Sequence, residues 1–194
     1  MPHAKSISQA AISHDGSQIA YVVGGEISLI PASGGTVRTI SAEGKLPARD
    51  VAWSPDSKQI VFLADLPGDV PAAQLWTAAL DGSAPVKRAD LKGYAAAPSF
   101  SPDNSRLALL FIEGIPRNAG PLQPMLPLAG VIDDQIYEQR LTAIDLSTNV
   151  LTAITPPDVY VYEYDWTPDS QGWAAIAAHG SLRTDGTGDY SKAR

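Results

Sequence analysis

Few residues in this sequence could perform catalysis. The 194-residue chain has three histidines, His3, His14 and His179, and no cysteine. A serine nucleophile needs a histidine base, and many hydrolases present that serine in a Gly-x-Ser-x-Gly turn. No serine here has glycine both two positions before it and two positions after it. We therefore predict that the chain contains no catalytic residue.

Four aspartates recur at the same place in a repeated turn phrase. The copies read Ser13-His14-Asp15-Gly16, Ser54-Pro55-Asp56-Ser57, Ser101-Pro102-Asp103-Asn104 and Thr167-Pro168-Asp169-Ser170. Aspartate accepts backbone N–H groups inside turns, so we predict that Asp15, Asp56, Asp103 and Asp169 each stabilise their own turn. His14 stands where the other copies have proline, which indicates a structural histidine. His179 ends an apolar run and is expected at the surface.

The phrase has the chemistry of a tight turn. Proline fixes φ and suits the second position, whereas glycine or asparagine tolerates the left-handed conformation at the fourth. Ser57 and Ser170 occupy that fourth position. We predict slight backbone strain at these two serines.

The turns divide the chain into similar units. Each phrase lies between two short apolar segments, which predicts a β-hairpin. The turn aspartates are about 41, 47 and 66 residues apart, and a four-stranded propeller blade takes roughly 40–50 residues. The last spacing fits once a proline-rich insertion at 113–138 is removed. The sequence thus predicts an all-β fold, a partial β-propeller of four-stranded antiparallel blades.

The predicted domain covers residues 1–179. It holds three complete blades at about 7–41, 49–91 and 96–155, and half of a fourth at 159–179. Residues 180–194 are polar and are predicted to form a disordered tail.

Composition excludes several classes of partner. A net charge of −7 disfavours nucleic acids and anionic membranes, which attract basic faces. The sequence has no apolar run long enough to span a bilayer, and Met1 to Gln9 lacks the apolar centre of a secretory signal. It has no phosphate loop, dinucleotide fingerprint or His/Cys cluster, so we predict no cofactor and no metal.

One segment is rich in aromatic residues. Tyr160, Tyr162, Tyr164 and Trp166 alternate with other residues, so a regular strand would place all four on one face. Packing between blades is the favoured use of that face. An aromatic wall facing a substrate is the alternative.

These repeats resemble the Ser-Pro-Asp-Gly propeller repeats of TolB-like proteins and of the N-terminal domains of the prolyl oligopeptidase family of serine peptidases. The residues 130–141 and the segment from Val159 to Trp166 look like bacterial dipeptidyl- or acylaminoacyl-peptidase propellers. The resemblance implies a C-terminal α/β-hydrolase domain as partner and a peptide as substrate. It also implies an extracytoplasmic location, although the compartment is open.

The same resemblance singles out an acidic pair. In the dipeptidyl-peptidase branch such a pair grips the free α-amino group of the substrate, and an ammonium group gains from charge-assisted hydrogen bonds. The matching residues are Asp133 and Asp134, and Glu138 and Arg140 could complete the cluster. The alternative is an ordinary solvated surface.

Three functions follow as hypotheses. The favoured one is a non-catalytic propeller that gates substrates of a prolyl-oligopeptidase-like peptidase, in a truncated form of that protein. The second is a stand-alone TolB-like interaction module, and the third, a complete small enzyme, is disfavoured because no nucleophile–base pair is present. Three and a half blades cannot easily close a ring. We therefore expect an open arc that is marginally stable and self-associates through its uncovered edge.

Overall fold

The computed structural model describes residues 6–115 and 138–179. In this part of the chain fourteen strands form four antiparallel sheets, and the helical residues are one 3-10 turn at Glu43–Lys45. Sheet 1 comprises β1 (Ile7–Ile12), β2 (Gln18–Val23), β3 (Glu26–Pro31) and β4 (Arg38–Ile40). Sheet 2 comprises β5 (Ala48–Trp53), β6 (Gln59–Asp65), β7 (Ala73–Ala79) and β8 (Val86–Leu91). Sheet 3 comprises β9 (Gly93–Phe100), β10 (Arg106–Glu113), β11 (Arg140–Asp145) and β12 (Leu151–Ala153), and sheet 4 comprises β13 (Val159–Trp166) and β14 (Trp173–His179).

Each sheet is a meander, because the order of its strands in space follows their order in the chain. The all-β class and the partial propeller of four-stranded blades are therefore confirmed. The proline-rich insertion lies in the connection from β10 to β11. Residues 116–137 of that connection and the predicted tail at 180–194 lie outside the described residues.

The repeated phrase forms the turn between the first two strands of every sheet. In sheet 2, Ser57 N donates to Ser54 O at 2.9 Å, and Ser54 Oγ donates to Asp56 Oδ1 at 2.7 Å. The same carboxylate oxygen accepts Lys58 N at 3.2 Å. The fourth-position serines have the positive φ that the sequence predicted, 60° at Ser57 and 61° at Ser170. Equivalent hydrogen bonds from the first residue of the phrase reach Asp15, Asp103 and Asp169.

The sheets pack face to face around a common axis. The first strands β1, β5 and β9 lie next to one another, so they are the innermost strands. One apolar core fills the space between sheets 1 and 2, a second lies between sheets 2 and 3, and a third lies between sheets 3 and 4. Sheet 2 is covered on both faces, and β6 consequently is buried over most of its length. This arrangement brings the turns of all four sheets to the same end of the axis.

A β-bulge interrupts the first strand of every sheet. In β13 the register shifts between Val161 and Glu163. Beyond the shift, Tyr164 and Trp166 lie on the same face as Val161 and pack in the core against sheet 3. Tyr162, at the bulge, is 41% exposed. The prediction that four alternating aromatics share one face is therefore wrong, because a bulge reverses the alternation of side chains.

Candidate functional site

A concave surface lies on the axis at the end that carries the turns. It is a groove of about 540 Å³, here called the axial groove. Its walls come from the ends of the four first strands and from three of the turns. The lining residues are Ala11, Ile12, His14, Val51, Ala52, Trp53, Pro55, Ser99, Phe100, Pro102, Asp165 and Trp166.

Large apolar side chains at one repeated position form the walls of the axial groove. The residue immediately before each turn phrase is Ile12 in sheet 1, Trp53 in sheet 2, Phe100 in sheet 3 and Trp166 in sheet 4. Trp53 and Phe100 are only 5% exposed, because each packs against the preceding sheet. Ile12 has no such neighbour and is 62% exposed. Of these four side chains, Ile12 and the partly exposed Trp166 therefore supply most of the accessible apolar surface, and exposed apolar surface in a concave site is typical of a binding site for another chain.

Hydrogen bonds hold both indole rings in place. Trp53 Nε1 donates to Ala11 O at 3.0 Å, and Trp166 Nε1 donates to Ser99 Oγ at 3.0 Å. Each bond joins one sheet to the sheet before it. The rings therefore cannot rotate freely, and the wall is preorganised for a ligand.

A buried tyrosine supports the Trp166 side of the groove. The Tyr164 hydroxyl lies 2.9 Å from Ser99 Oγ, 2.6 Å from Ala97 O and 2.7 Å from Ala108 O. Burial raises the pKa of this phenol above its usual value, so Tyr164 stays protonated and serves as a hydrogen-bonding link between sheets 3 and 4. Through these contacts Tyr164 helps to position the Trp166 side of the groove.

Two polar side chains line the groove in addition to Ser99. His14 Nδ1 lies 3.1 Å from Ser54 O, so the imidazole connects the first turn to the second, consistent with a structural histidine. The Asp165 carboxylate accepts Trp166 N at 2.8 Å and is exposed. The groove is thus mainly apolar, with one carboxylate at its sheet 4 side.

A second, smaller cavity lies at the opposite end of the axis. It measures about 160 Å³ and lies between the loop at 66–72 and the start of β9. Arg49 Nε donates to Asp65 Oδ2 at 2.9 Å, and Arg49 Nη1 donates to Asp50 Oδ2 at 2.7 Å. Burial alone would lower the pKa of Arg49, but its hydrogen bond to Asp65 and the two nearby carboxylates outweigh burial and raise it. The guanidinium also lies 5.5 Å from the centre of the Tyr94 ring.

Of the four sequence-predicted binding residues, the two that the structure describes, Glu138 and Arg140, do not line the axial groove. Asp133 and Asp134 fall outside the described residues. Glu138 is 5% exposed just before β11, and Arg140 Nε at the start of β11 donates to Thr155 O at 2.8 Å. The binding role of these four residues stays a prediction.

The described histidines lie far apart in the fold. His14 is in the first turn, whereas His179 Nδ1, at the end of β14, lies 3.7 Å from Asp158 Oδ2 on the surface. Within residues 6–115 and 138–179, no group of three or more His, Asp or Glu side chains is placed to hold a metal ion. No helix of that same part has the length and apolar character needed to cross a bilayer.

The residues that wall the axial groove carry a signal in the sequence, although the groove itself does not. Aligning the four turn phrases places a large apolar residue immediately before each one, and the groove is built on that position. The alignment does not show how the four sheets curve around the axis, and this curvature is what makes the four positions face one another.

Solved structures share this fold at low sequence identity. TolB from Acinetobacter baumannii matches 90% of this chain with a TM-score of 0.59 and 15% identity, and the match covers 41% of that protein. The acylaminoacyl peptidase of Pyrococcus horikoshii matches 93% with a TM-score of 0.62 and 16% identity, covering 29% of its own length. An oligogalacturonate lyase from Vibrio parahaemolyticus matches 91% with a TM-score of 0.66 and 12% identity, covering 48% of its length. No protein-family model matches the sequence, and no curated protein matches it significantly.

These likenesses establish the class of protein, a β-propeller, and go no further. TolB, a peptidase and a lyase share the fold, and a fold does not determine a function. The chain spans less than half of each of these three proteins. The sequence resemblance to TolB-like and peptidase propellers is supported at the level of the fold.

Proposed function

We propose that this chain is a non-catalytic propeller module that admits and orients peptides for a serine hydrolase domain carried by a longer protein. The observation that carries the proposal is the axial groove, where the first strands of four sheets present apolar side chains around one axis. A peptidase acting beneath such a groove would receive only chains that fit into it. The structural likeness to the propeller of an acylaminoacyl peptidase supports this choice.

The chemistry of the groove favours a peptide over a sugar or a nucleic acid. Its accessible walls are mainly apolar, through Ile12 and the partly exposed ring of Trp166, and apolar and aromatic side chains are typical anchors for peptide binding. The chain carries a net charge of −7, which opposes binding of polyanions. Peptide hydrolysis would be carried out by the partner hydrolase domain.

The alternative is a stand-alone interaction module that binds a protein segment in the same groove. The likeness to TolB favours it. The two candidates differ in one respect, because only the first requires a serine nucleophile on the same polypeptide or complex.

An activity-based label separates them. An antibody raised against the purified chain is used to precipitate the native antigen from source cells, and the precipitate is treated with a fluorophosphonate, which reacts with activated serines. We expect a labelled band in the precipitate and no labelling of the purified 20.4 kDa chain. A precipitate without a labelled band would favour the interaction module, and labelling of the purified chain would contradict both.

A further inference from the structure

Each sheet has two faces that differ in sequence. In the second strand, the residues four and six positions after the turn aspartate face the preceding sheet, and we call this the leading face. The residues five and seven positions after it face the following sheet, and we call this the trailing face. In sheet 2, Ile60 and Phe62 pack in the core with sheet 1, whereas Val61 and Leu63 pack in the core with sheet 3.

The same positions meet at every internal interface. The trailing face of sheet 1 presents Ala20 and Val22, and both are buried against the leading face of sheet 2. The leading face of sheet 3 presents Leu107 and Leu109, and its trailing face presents Ala108 and Leu110. Trailing faces thus combine a small or branched residue with a larger aliphatic one. The leading faces of sheets 2 and 3 combine two large residues, whereas that of sheet 4 presents Trp173 and Ala175.

The two outer faces of the array follow the same rule but are open to solvent. The leading face of sheet 1 carries Ile19 and Tyr21, which match Ile60 and Phe62 in type and position, together with the 62% exposed Ile12. The trailing face of sheet 4 carries Ala174 and Ile176, which match Ala20 and Val22. Ile176 is 51% exposed.

A polar contact accompanies two of the internal interfaces. Gln9 lies opposite Val22 on the trailing face of sheet 1, and its amide bonds Val51 of sheet 2 through both Oε1 and Nε2, at 2.8 and 3.1 Å. Arg49 lies opposite Leu63 in sheet 2 and donates to Ala95 O of sheet 3 at 2.9 Å. In sheet 4 the equivalent residue, opposite Ile176, is Glu163, which is exposed. Its carboxylate stands where Gln9 Oε1 accepts a backbone N–H of the next sheet.

We propose that two copies of this chain close head to tail, with the trailing face of sheet 4 in each copy packed on the leading face of sheet 1 in the other. The match in residue type makes the second copy the fitting occupant: Ala174 and Ile176 resemble Ala20 and Val22, which pack on Ile60 and Phe62, and Ile19 with Tyr21 presents a similar surface. A two-fold axis makes both contacts equal and covers the inner strands of both outer faces. The pair would hold eight sheets, within the range of about four to eight seen in closed propellers.

Closure has a functional consequence. In one chain the axial groove is walled by four sheets and open on the remaining side. A ring of two copies would enclose it as a channel, which is what exclusion by size requires. The dimer does not depend on the hydrolase partner, so the two proposals can fail separately.

The test is the mass of the chain in solution. Sedimentation velocity over roughly 1–100 µM should show the wild type reaching twice 20.4 kDa and no further. Ile12→Glu and Ile176→Glu each place a charge in both contacts of a homodimer, so each should shift the dissociation constant at least tenfold. Val86→Glu is the matched control, because Val86 is 48% exposed on an outer strand, and it should leave the mass unchanged.

Mixing the two variants tests the head-to-tail geometry. A pair formed by one Ile12→Glu chain and one Ile176→Glu chain keeps one contact with two unmodified faces, so the mixture should dimerise more tightly than either variant alone. A monomeric wild type would overturn the proposal. A mass that keeps rising with concentration would also overturn it. So would a dissociation constant that one of the two variants leaves unchanged, or a mixture that dimerises no more tightly than either variant alone.

Discussion

At the scale of single residues, each turn carboxylate is held by a short local network. The hydroxyl of the first residue in the phrase donates to the aspartate, at 2.6 Å for Ser13 to Asp15 and 2.7 Å for Ser54 to Asp56. The same hydroxyl accepts the backbone N–H five residues later, as in Gln59 N to Ser54 Oγ at 3.1 Å. These bonds favour the ionised carboxylate, so the turns depend on its charge.

Acid should therefore destabilise the protein below pH 4. The hydrogen bonds from Ser101 and Ser105 lower the pKa of Asp103 from 3.8 to about 2, and those from Ser13 and Ser17 do the same for Asp15. A carboxyl group with a depressed folded pKa contributes stability above its unfolded value and loses it as the pH falls through the folded one. The melting temperature, followed by circular dichroism, should fall between pH 3.8 and 2. The Asp103→Asn variant should have a lower melting temperature than the wild type at pH 5, and its melting temperature should fall less on acidification. An equal fall in both proteins would contradict this account.

In two of the turns the fourth residue also reaches another sheet. Asp15 N donates to Ser57 Oγ at 3.0 Å, and Asp103 N donates to Ser170 Oγ at 3.0 Å. The serines that the sequence marked as less suited to positive φ are thus the ones that join neighbouring turns. Asn104 has the same backbone conformation, but in the described residues its buried Oδ1 has no hydrogen-bond partner.

At the scale of elements, the inner strands combine bulges with close approaches of the backbone. Asp50 in β5 and Ala97 in β9 lie at the bulges, and each has φ of 51°. Backbone strain of this kind costs energy and persists where surrounding contacts fix it. Here each bulge shifts the strand register, and residues that follow it in each first strand line the axial groove.

Gly93 begins β9 at a place that no side chain can occupy. Its φ is 153°, and an added Cβ would lie 2.0 Å from Ile112 O of β10. Gly93→Ala should therefore lower the free energy of unfolding by roughly 3 kcal/mol, from backbone strain and displacement of β10. Urea denaturation would measure the loss.

Gly172→Ala is the control for this variant. A Cβ at Gly172 would meet Thr167 at an ordinary 3.8 Å. Its effect should be much smaller, and equal losses in the two variants would show that the contact with Ile112 is not the cause.

At the scale of the whole molecule, the sheets form a one-dimensional array. Each sheet packs only on its neighbours, so stability is greatest where both faces are covered. The strand β6 of sheet 2 is almost entirely buried, whereas β14 of sheet 4 is mostly exposed. Opening should begin at the ends of the array.

Amide hydrogen exchange can follow this order. In the Ile12→Glu variant, studied at a concentration where it is monomeric, the amides of β14 should exchange at least tenfold faster than those of β6 and β10. Mass spectrometry of peptic fragments would give the rates. Uniform protection across the four sheets would mean that the array unfolds as one unit.

The sequence by itself determined the turns, the strands around them and the all-β repeat, because the bonds that build them join residues at most a few positions apart. The hydrogen bonds between sheets that hold the groove join residues 42 positions apart in Trp53 to Ala11 and 67 positions apart in Trp166 to Ser99. Local patterns cannot specify such pairs, since bulges and curvature decide which positions meet. Only the tertiary structure therefore showed the axial groove, the split of the aromatic face of β13 and the two open faces of the array.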